Sequence, residues 1–350
     1  MKIRVAILDK DDNYKNRILS AFQVKYADKI ELYIFSETAQ LMSALETQMI
    51  DMVLVDDEIE ITEYPEKIVF VYLCKSIGVE EIHEHPAICK FQKVDTIYKQ
   101  ILGIYADTNL TMKLRTENNE ARVVAFMSAQ GGSGVSTAAA AYALKRASEH
   151  KQIFYLNLER FGGTDLYFSG DGIMSFSEVI YALKSKKANL IIKLESNMKT
   201  DRSGVDFFSE CKNAYDMFEL NDEEVVRLIQ GISKTKEYDE IIIDVSEGFH
   251  ERTRMLLEDY ADRVVYVSDG SKNGNQKFEH FCQVIRLMEQ RNNKKVFSKL
   301  ALLYNRYSSK TSTQLMESPI QVLGGIHRYE GIDGRKLIEE IAKADALENV

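Results

Sequence analysis

The residues with the densest chemical potential form one run of eight: Gln130, Gly131, Gly132, Ser133, Gly134, Val135, Ser136 and Thr137. Gly131, Gly132 and Gly134 allow backbone conformations that turn successive N–H groups toward one point, where they can surround phosphate oxygens. The apolar run VVAFMS precedes the loop and the helix-forming AAAAYALKRA follows it, so the positive end of a helix faces the same point. Ser136 stands where a hydroxyl can bind Mg²⁺, and Thr137 is placed beside it for an α-phosphate.

Other groups stand at the ends of apolar runs. In YDEIIIDVSEG, from Tyr238 to Gly248, Asp244 is placed to hold Mg²⁺ through water. In FYLNLERFGGTDLYF, Glu159 follows a strand-like run and can serve as a base. Asn305 and Arg306 close KLALLYN; an amide can read the edge of a purine and a guanidinium plane can stack on its face. Nearer the start, Asp9, Asp56 and Lys90 each end an apolar run and make a second polar group.

These positions require strands ending at common edges. Arg4 to Leu8, Ile30 to Phe35, Met52 to Val55, Ile68 to Leu73 and Ala87 to Phe91 alternate with amphipathic stretches, a βα pattern. Periodicity fades between Asp107 and Ala121, which reads as a solvated linker. After it, apolar runs long enough to be buried on both faces alternate with helical segments, as in a parallel sheet with crossovers. The expected organisation is α/β throughout: a flavodoxin-like domain at 1–105, a linker at 106–120, and a mostly parallel sheet flanked by helices at 121–350. The last amphipathic stretch, Arg335 to Leu347, reads as a packed helix that is not basic enough to bind membranes.

Composition narrows the function. A net charge of -9 argues against general affinity for DNA or anionic membrane. The four cysteines, Cys74, Cys89, Cys211 and Cys282, lie far apart and suggest reduced core residues, with neither a disulfide framework nor a zinc site. No apolar run reaches the roughly 18–20 residues of a membrane span, and the first residues turn acidic where a signal peptide stays apolar, so a cytoplasmic protein is expected.

The loop QGGSGVST resembles the deviant Walker A loop of the ParA/MinD ATPases, K-G-G-x-G-K-[ST]-T, with Gln130 at the family's signature lysine and Val135 at the ordinary P-loop lysine. The resemblance extends over residues 121–350. It implies ATP and Mg²⁺ as cofactors, Gln130 to Thr137 with Asn305 and Arg306 as the nucleotide site, Ser136 and Asp244 at the metal, and Glu159 with Asp244 as catalytic carboxylates. Asn157 and Glu159 replace the two aspartates of the family's second acidic motif, and His327 replaces a proline in a later loop. Each missing ammonium removes about 4 kcal/mol of gross attraction to phosphate, so hydrolysis is expected to be slow or absent.

The first domain resembles a response-regulator receiver. Asp56 matches the phosphoacceptor, Asp9 one of the paired acids and Lys90 the receiver lysine. Lys10 replaces the second acid and is expected to neutralise the pocket; Cys74 and Lys75 follow the strand where Ser or Thr is usual, and Lys75 to Pro86 is short for a fourth helix. The acidic residues Asp57, Glu58, Glu60 and Glu63 beside Asp56 read as a solvated loop. The implied domain is a degenerate receiver used for interaction.

A receiver-like domain before a ParA/MinD-type domain is similar to the TadZ/CpaE pilus-assembly family. That likeness implies an ATP-bound homodimer acting as a localisation and assembly factor for the tight-adherence (Flp) pilus apparatus at a cell pole, partnered with the pilus secretion ATPase and other assembly components. A ParA-type partition ATPase and a MinD-type septum-positioning ATPase stand as alternatives.

Overall fold

A computed structural model describes residues 2–59, 61, 68–108, 121–185, 190–245, 249–292, 294–308, 310–315 and 318–350. The chain forms two compact units, Met1–Lys113 with Lys187–Ser196, and Leu114–Lys186 with Asn197–Val350.

The first unit runs β1 (Ile3–Leu8), α1 (Asp12–Lys25), β2 (Ile30–Phe35), α2 (Thr38–Thr47), β3 (Met52–Asp56), β4 (Val69–Cys74), β5 (Glu81–Ile82), β6 (His85–Cys89) and α3 (Val94–Thr108). Its sheet order is β2-β1-β3-β4-β6-β5, parallel except for β5 against β6. Leaving aside the short β5, this is the flavodoxin-like order, whose polar site lies at the carboxyl ends of the strands. The central strands β3 and β4 are buried along their whole lengths, which explains their unbroken apolar sequence. Between β4 and β6 stands only the β5 hairpin, in agreement with a stretch too short for a helix. Helix α3 continues through Thr108, into the expected linker; residues 109–120 of that linker lie outside the described residues.

The second unit begins with β7 (Arg122–Met127), α4 (Val135–Ser148), β8 (Ile153–Asn157) and α5 (Phe176–Ser185). After α6 (Leu190–Asn197) come β9 (Lys199–Thr200), β10 (Asp206–Phe207), α7 (Asp216–Glu219), α8 (Asp222–Thr235) and β11 (Glu240–Val245). The chain continues through α9 (Glu251–Met255), β12 (Arg263–Ser268), α10 (Lys272–Asn292), β13 (Leu300–Tyr307), β14 (Gln321–His327) and α11 (Gly334–Ile341). The sheet order is β14-β13-β12-β7-β11-β8-β10-β9, and only β9 is antiparallel. Helix α4 packs on β7, β8 and β11, and Ala138 to Ala141 with Ala143 are fully buried there. Small side chains bring the helix axis close to the sheet, which aims its first turn at the ends of the central strands.

Two differences from the sequence reading follow from packing. The stretch Arg335 to Leu347 is not one helix: α11 ends at Ile341 and a short 3₁₀ turn covers Asp345–Leu347, letting Ala346 and Leu347 enter the core. The expected 121–350 domain is interrupted, because Lys187–Ser196 clusters with the first unit. There Ile192 joins the apolar core, and Glu195 accepts hydrogen bonds from Lys29 at 3.0 Å and from the Tyr98 hydroxyl at 2.9 Å. Local periodicity carries no sign of such a long-range insertion.

Candidate functional site

The loop between β7 and α4 has the backbone that its glycines foretell. Gly132 and Gly134 have φ of +76° and +83°, a region unfavourable for residues with a Cβ. Gly131 and Gly132 are exposed, with nothing within 4 Å of where a Cβ would stand, so the crest of the loop is open.

Asn305 and Arg306 hold the loop from behind. The Asn305 amide nitrogen donates to the carbonyls of Ser133 at 3.1 Å and Gly134 at 3.2 Å, and Arg306 Nη1 donates to the Gly132 carbonyl at 2.7 Å. In a planar trans peptide the N–H points opposite to the carbonyl. Fixing these three carbonyls therefore turns the N–H groups of Ser133, Gly134 and Val135 away from Asn305 and Arg306. Both residues thus brace the loop: the Asn305 amide nitrogen bonds two of its carbonyls, and Asn305 is 2% exposed. Arg306 itself has φ +58°, a left-handed conformation sustained by these contacts.

At the first turn of α4, Ser136 Oγ donates to Glu159 Oε2 at 3.3 Å, and Thr137 Oγ1 lies 3.3 Å from the Tyr167 hydroxyl. Asp244 is completely buried and accepts from the Tyr155 hydroxyl at 3.1 Å. Burial pushes both tyrosines up, so each hydroxyl keeps its proton. Tyr155 and Tyr167 lie within apolar sequence, where nothing local marks them as polar contacts. Ser246 to Gly248, which follow β11, lie outside the described residues.

The two family lysine positions differ in kind. Val135 is 5% exposed and belongs to the apolar core, so no charge could be held there cheaply. The Gln130 side chain turns to Asp269, and its Oε1 is buried without a partner among the described residues. Burial alone would raise the Asp269 carboxyl; hydrogen bonds from Ser271 and Gln130 outweigh it and hold it below the ordinary value. Gly274 lies opposite, where a Cβ would stand 2.5 Å from Gln130 Oε1 and 2.6 Å from Asp269 Oδ1, so a larger residue would displace both side chains. His327 is exposed and its ring lies against Tyr329, tilted by 40° with 4.0 Å between ring centres.

The other polar group lies at the strand ends of the first unit. Lys90 Nζ donates to Asp9 Oδ2 at 2.9 Å and also to Asp56 Oδ2, and Asp9, Asp56 and Lys90 are 1%, 5% and 5% exposed. Lys10 is exposed, so the expected neutralising role falls to Lys90. Asp11 accepts from the backbone of Asn13 and Tyr14 as the N-cap of α1. Glu60 and Glu63 lie outside the described residues. Incubating the protein with acetyl phosphate and Mg²⁺ should leave its mass unchanged, because the Asp56 carboxylate is already bonded to a buried ammonium. A stoichiometric mass gain that disappears in Asp56→Asn would refute this.

Among the described residues, no group of three or more His, Cys, Asp and Glu forms a metal cluster, and no helix is long and apolar enough to cross a membrane. All four cysteines are free; Cys211 is only half-buried.

Residues 1–106 match the family model of the TadZ-like receiver domain. No curated protein matches the chain. Among solved structures, a ParA family ATPase from Chlorobium tepidum TLS is similar at 21% identity and TM-score 0.50, over 66% of this chain and 96% of that one. A plasmid partition protein from Borrelia burgdorferi (16%, 0.48, 66% and 100%) and the septum site-determining protein MinD complexed with Mg-ADP from Pyrococcus horikoshii OT3 (14%, 0.48, 65% and 92%) are also similar. The chain thus joins a domain that matches the TadZ-like receiver, at residues 1–106, to a fold similar to that of a ParA family ATPase.

Proposed function

We propose that this protein binds ATP with Mg²⁺ at the loop Gln130 to Thr137 and serves, as an ATP-bound dimer, in the assembly of a tight-adherence pilus at a cell pole. One observation carries the nucleotide reading: Asn305 and Arg306 fix the loop's carbonyls, so its N–H donors are preorganised at a helix start beside an open glycine crest. The residues fit the group: Ser136 and Asp244 would hold the metal, with Thr137 beside the phosphates. Bound Mg²⁺ would supply the positive charge that the side chains at 130 and 135 lack.

Calorimetry tests the nucleotide reading. The wild type should bind Mg²⁺-ATP at millimolar nucleotide or tighter, and Gly134→Val should lose at least tenfold in affinity. At Gly134 a side chain meets both the positive φ and the Asn305 amide nitrogen. Absence of ATP affinity in the wild type would end this proposal. For the pilus role, the prediction is co-purification with the pilus secretion ATPase and a polar focus of a fluorescent fusion; a focus that follows DNA or the septum would favour the partition or septum alternatives.

A further inference from the structure

Beside Glu159 the surface carries aromatic rings that no core packing requires. Phe161 is 78% exposed, Tyr215 65% and Phe218 44%. Phe161 and Tyr215 flank Phe218 with ring centres 5.5 and 6.1 Å away, and the Arg160 guanidinium lies 4.8 Å over the Phe218 ring. Clustered exposed aromatics mark recognition surfaces more often than chance apolar exposure does. Behind them opens a cavity of about 230 Å³, with Tyr155, Phe176, Phe208 and Met217 in its walls; none of residues 130–137 lines it.

Size and charge define the occupant. The cavity is smaller than the roughly 300 Å³ at which small-molecule sites begin, and it suits a single large side chain. Glu159 and Glu210 line it, and Glu178, Asp216 and Glu219 line the neighbouring groove between α5 and α7. Glu178 is itself paired with Lys212 at 2.7 Å, which leaves four; against them the same linings offer Arg160 and Lys184, and both are engaged: Arg160 with the Phe218 ring, Lys184 with the Glu219 carbonyl at 2.6 Å and with Glu224. We infer that this face binds a basic segment of another protein, which inserts one aromatic side chain into the cavity and sets flanking Lys or Arg against the carboxylates.

The chain has no tryptophan, so the indole emission of a tryptophan peptide reports the peptide alone. Ac-KKWKK-amide titrated into the full-length protein at low salt should give a saturable blue shift, and Ac-EEWEE-amide should bind at least tenfold more weakly. Ac-KKAKK-amide should compete at least tenfold less well than the tryptophan peptide. Ala214→Gln fills the exposed mouth of the cavity and should cut affinity at least tenfold; Glu210→Lys should weaken the basic peptide and strengthen the acidic one. Circular dichroism confirms that both variants fold. Equal binding of acidic and basic peptides, or indifference to both substitutions, overturns the inference. So does a change of sedimentation in Phe161→Asp without peptide, which would assign the face to a second copy of the chain.

Discussion

Replacing Lys90 with methionine should destabilise the first unit by about 3–5 kcal/mol, the usual cost of breaking a buried ion pair from one side. Lys90 bonds both Asp9 and Asp56, and all three side chains are nearly inaccessible, so its removal strands two carboxylates away from water. Burial alone would lower the ammonium's pKa; hydrogen bonds with Asp56 and Asp9 outweigh it and raise the value. A raised lysine pKa contributes stability that is fully present below the ordinary lysine range and lost only as pH rises through the raised value. At neutral pH the triad is therefore intact. The loss would consume a large share of the 5–15 kcal/mol that holds a typical domain together. Hydrogen exchange in the full-length chain should show it as reduced protection in β1, β3 and β6. Adding Asp56→Asn to Lys90→Met should recover part of it by removing one stranded charge. Unchanged protection in Lys90→Met would show that the two carboxylates do not depend on the ammonium.

The fate of individual residues shows what sequence makes legible. Strands such as Val69–Cys74 announce themselves because both faces are buried and polarity has nowhere to alternate. The glycine loop before α4 is equally visible, since positive φ at Gly132 and Gly134 calls for glycine at those positions. Orientation is less visible. Asn305 and Arg306 match a known pattern, yet whether an amide at a strand end faces a ligand or the back of a loop depends on where β13 lies relative to the β7–α4 turn, over 170 residues away in sequence. Tyr155 is hidden for a related reason: a tyrosine in an apolar run packs like phenylalanine until a buried Asp244 from another strand meets its hydroxyl. Lys10 and Lys90 carry the same charge, and only the side of the strand end each occupies decides which one neutralises Asp9.

Phosphate release from ATP should fall well below about 1 s⁻¹, the low end for ordinary enzymes, with nucleotide-bound dimers persisting for the length of a sedimentation run. Stabilising charge on a transferring phosphoryl group is the main service such a site renders, and losing one donor typically costs about 10² to 10³ in rate, or roughly 3–4 kcal/mol. Two cations are missing here, and the surroundings do not invite them back. Val135 is part of the core, so Val135→Lys would bury an ammonium and should lower stability without restoring turnover. The Gln130 amide is held by Asp269, and a lysine at 130 should pair with that carboxylate; Gln130→Lys alone should leave the rate within a few-fold of wild type. Arg306 touches the loop, but on the Gly132 carbonyl, the face opposite the N–H donors. Its contribution is to posture, so Arg306→Ala should weaken ATP binding about tenfold through a looser loop, roughly one neutral-to-charged hydrogen bond, without changing the rate from the bound state. Sedimentation with ATP, with ADP and without nucleotide, beside a phosphate-release assay on wild type and the three variants, reads all of these. A monomer in every nucleotide state, or wild-type turnover near 1 s⁻¹, would refute the persistent dimer.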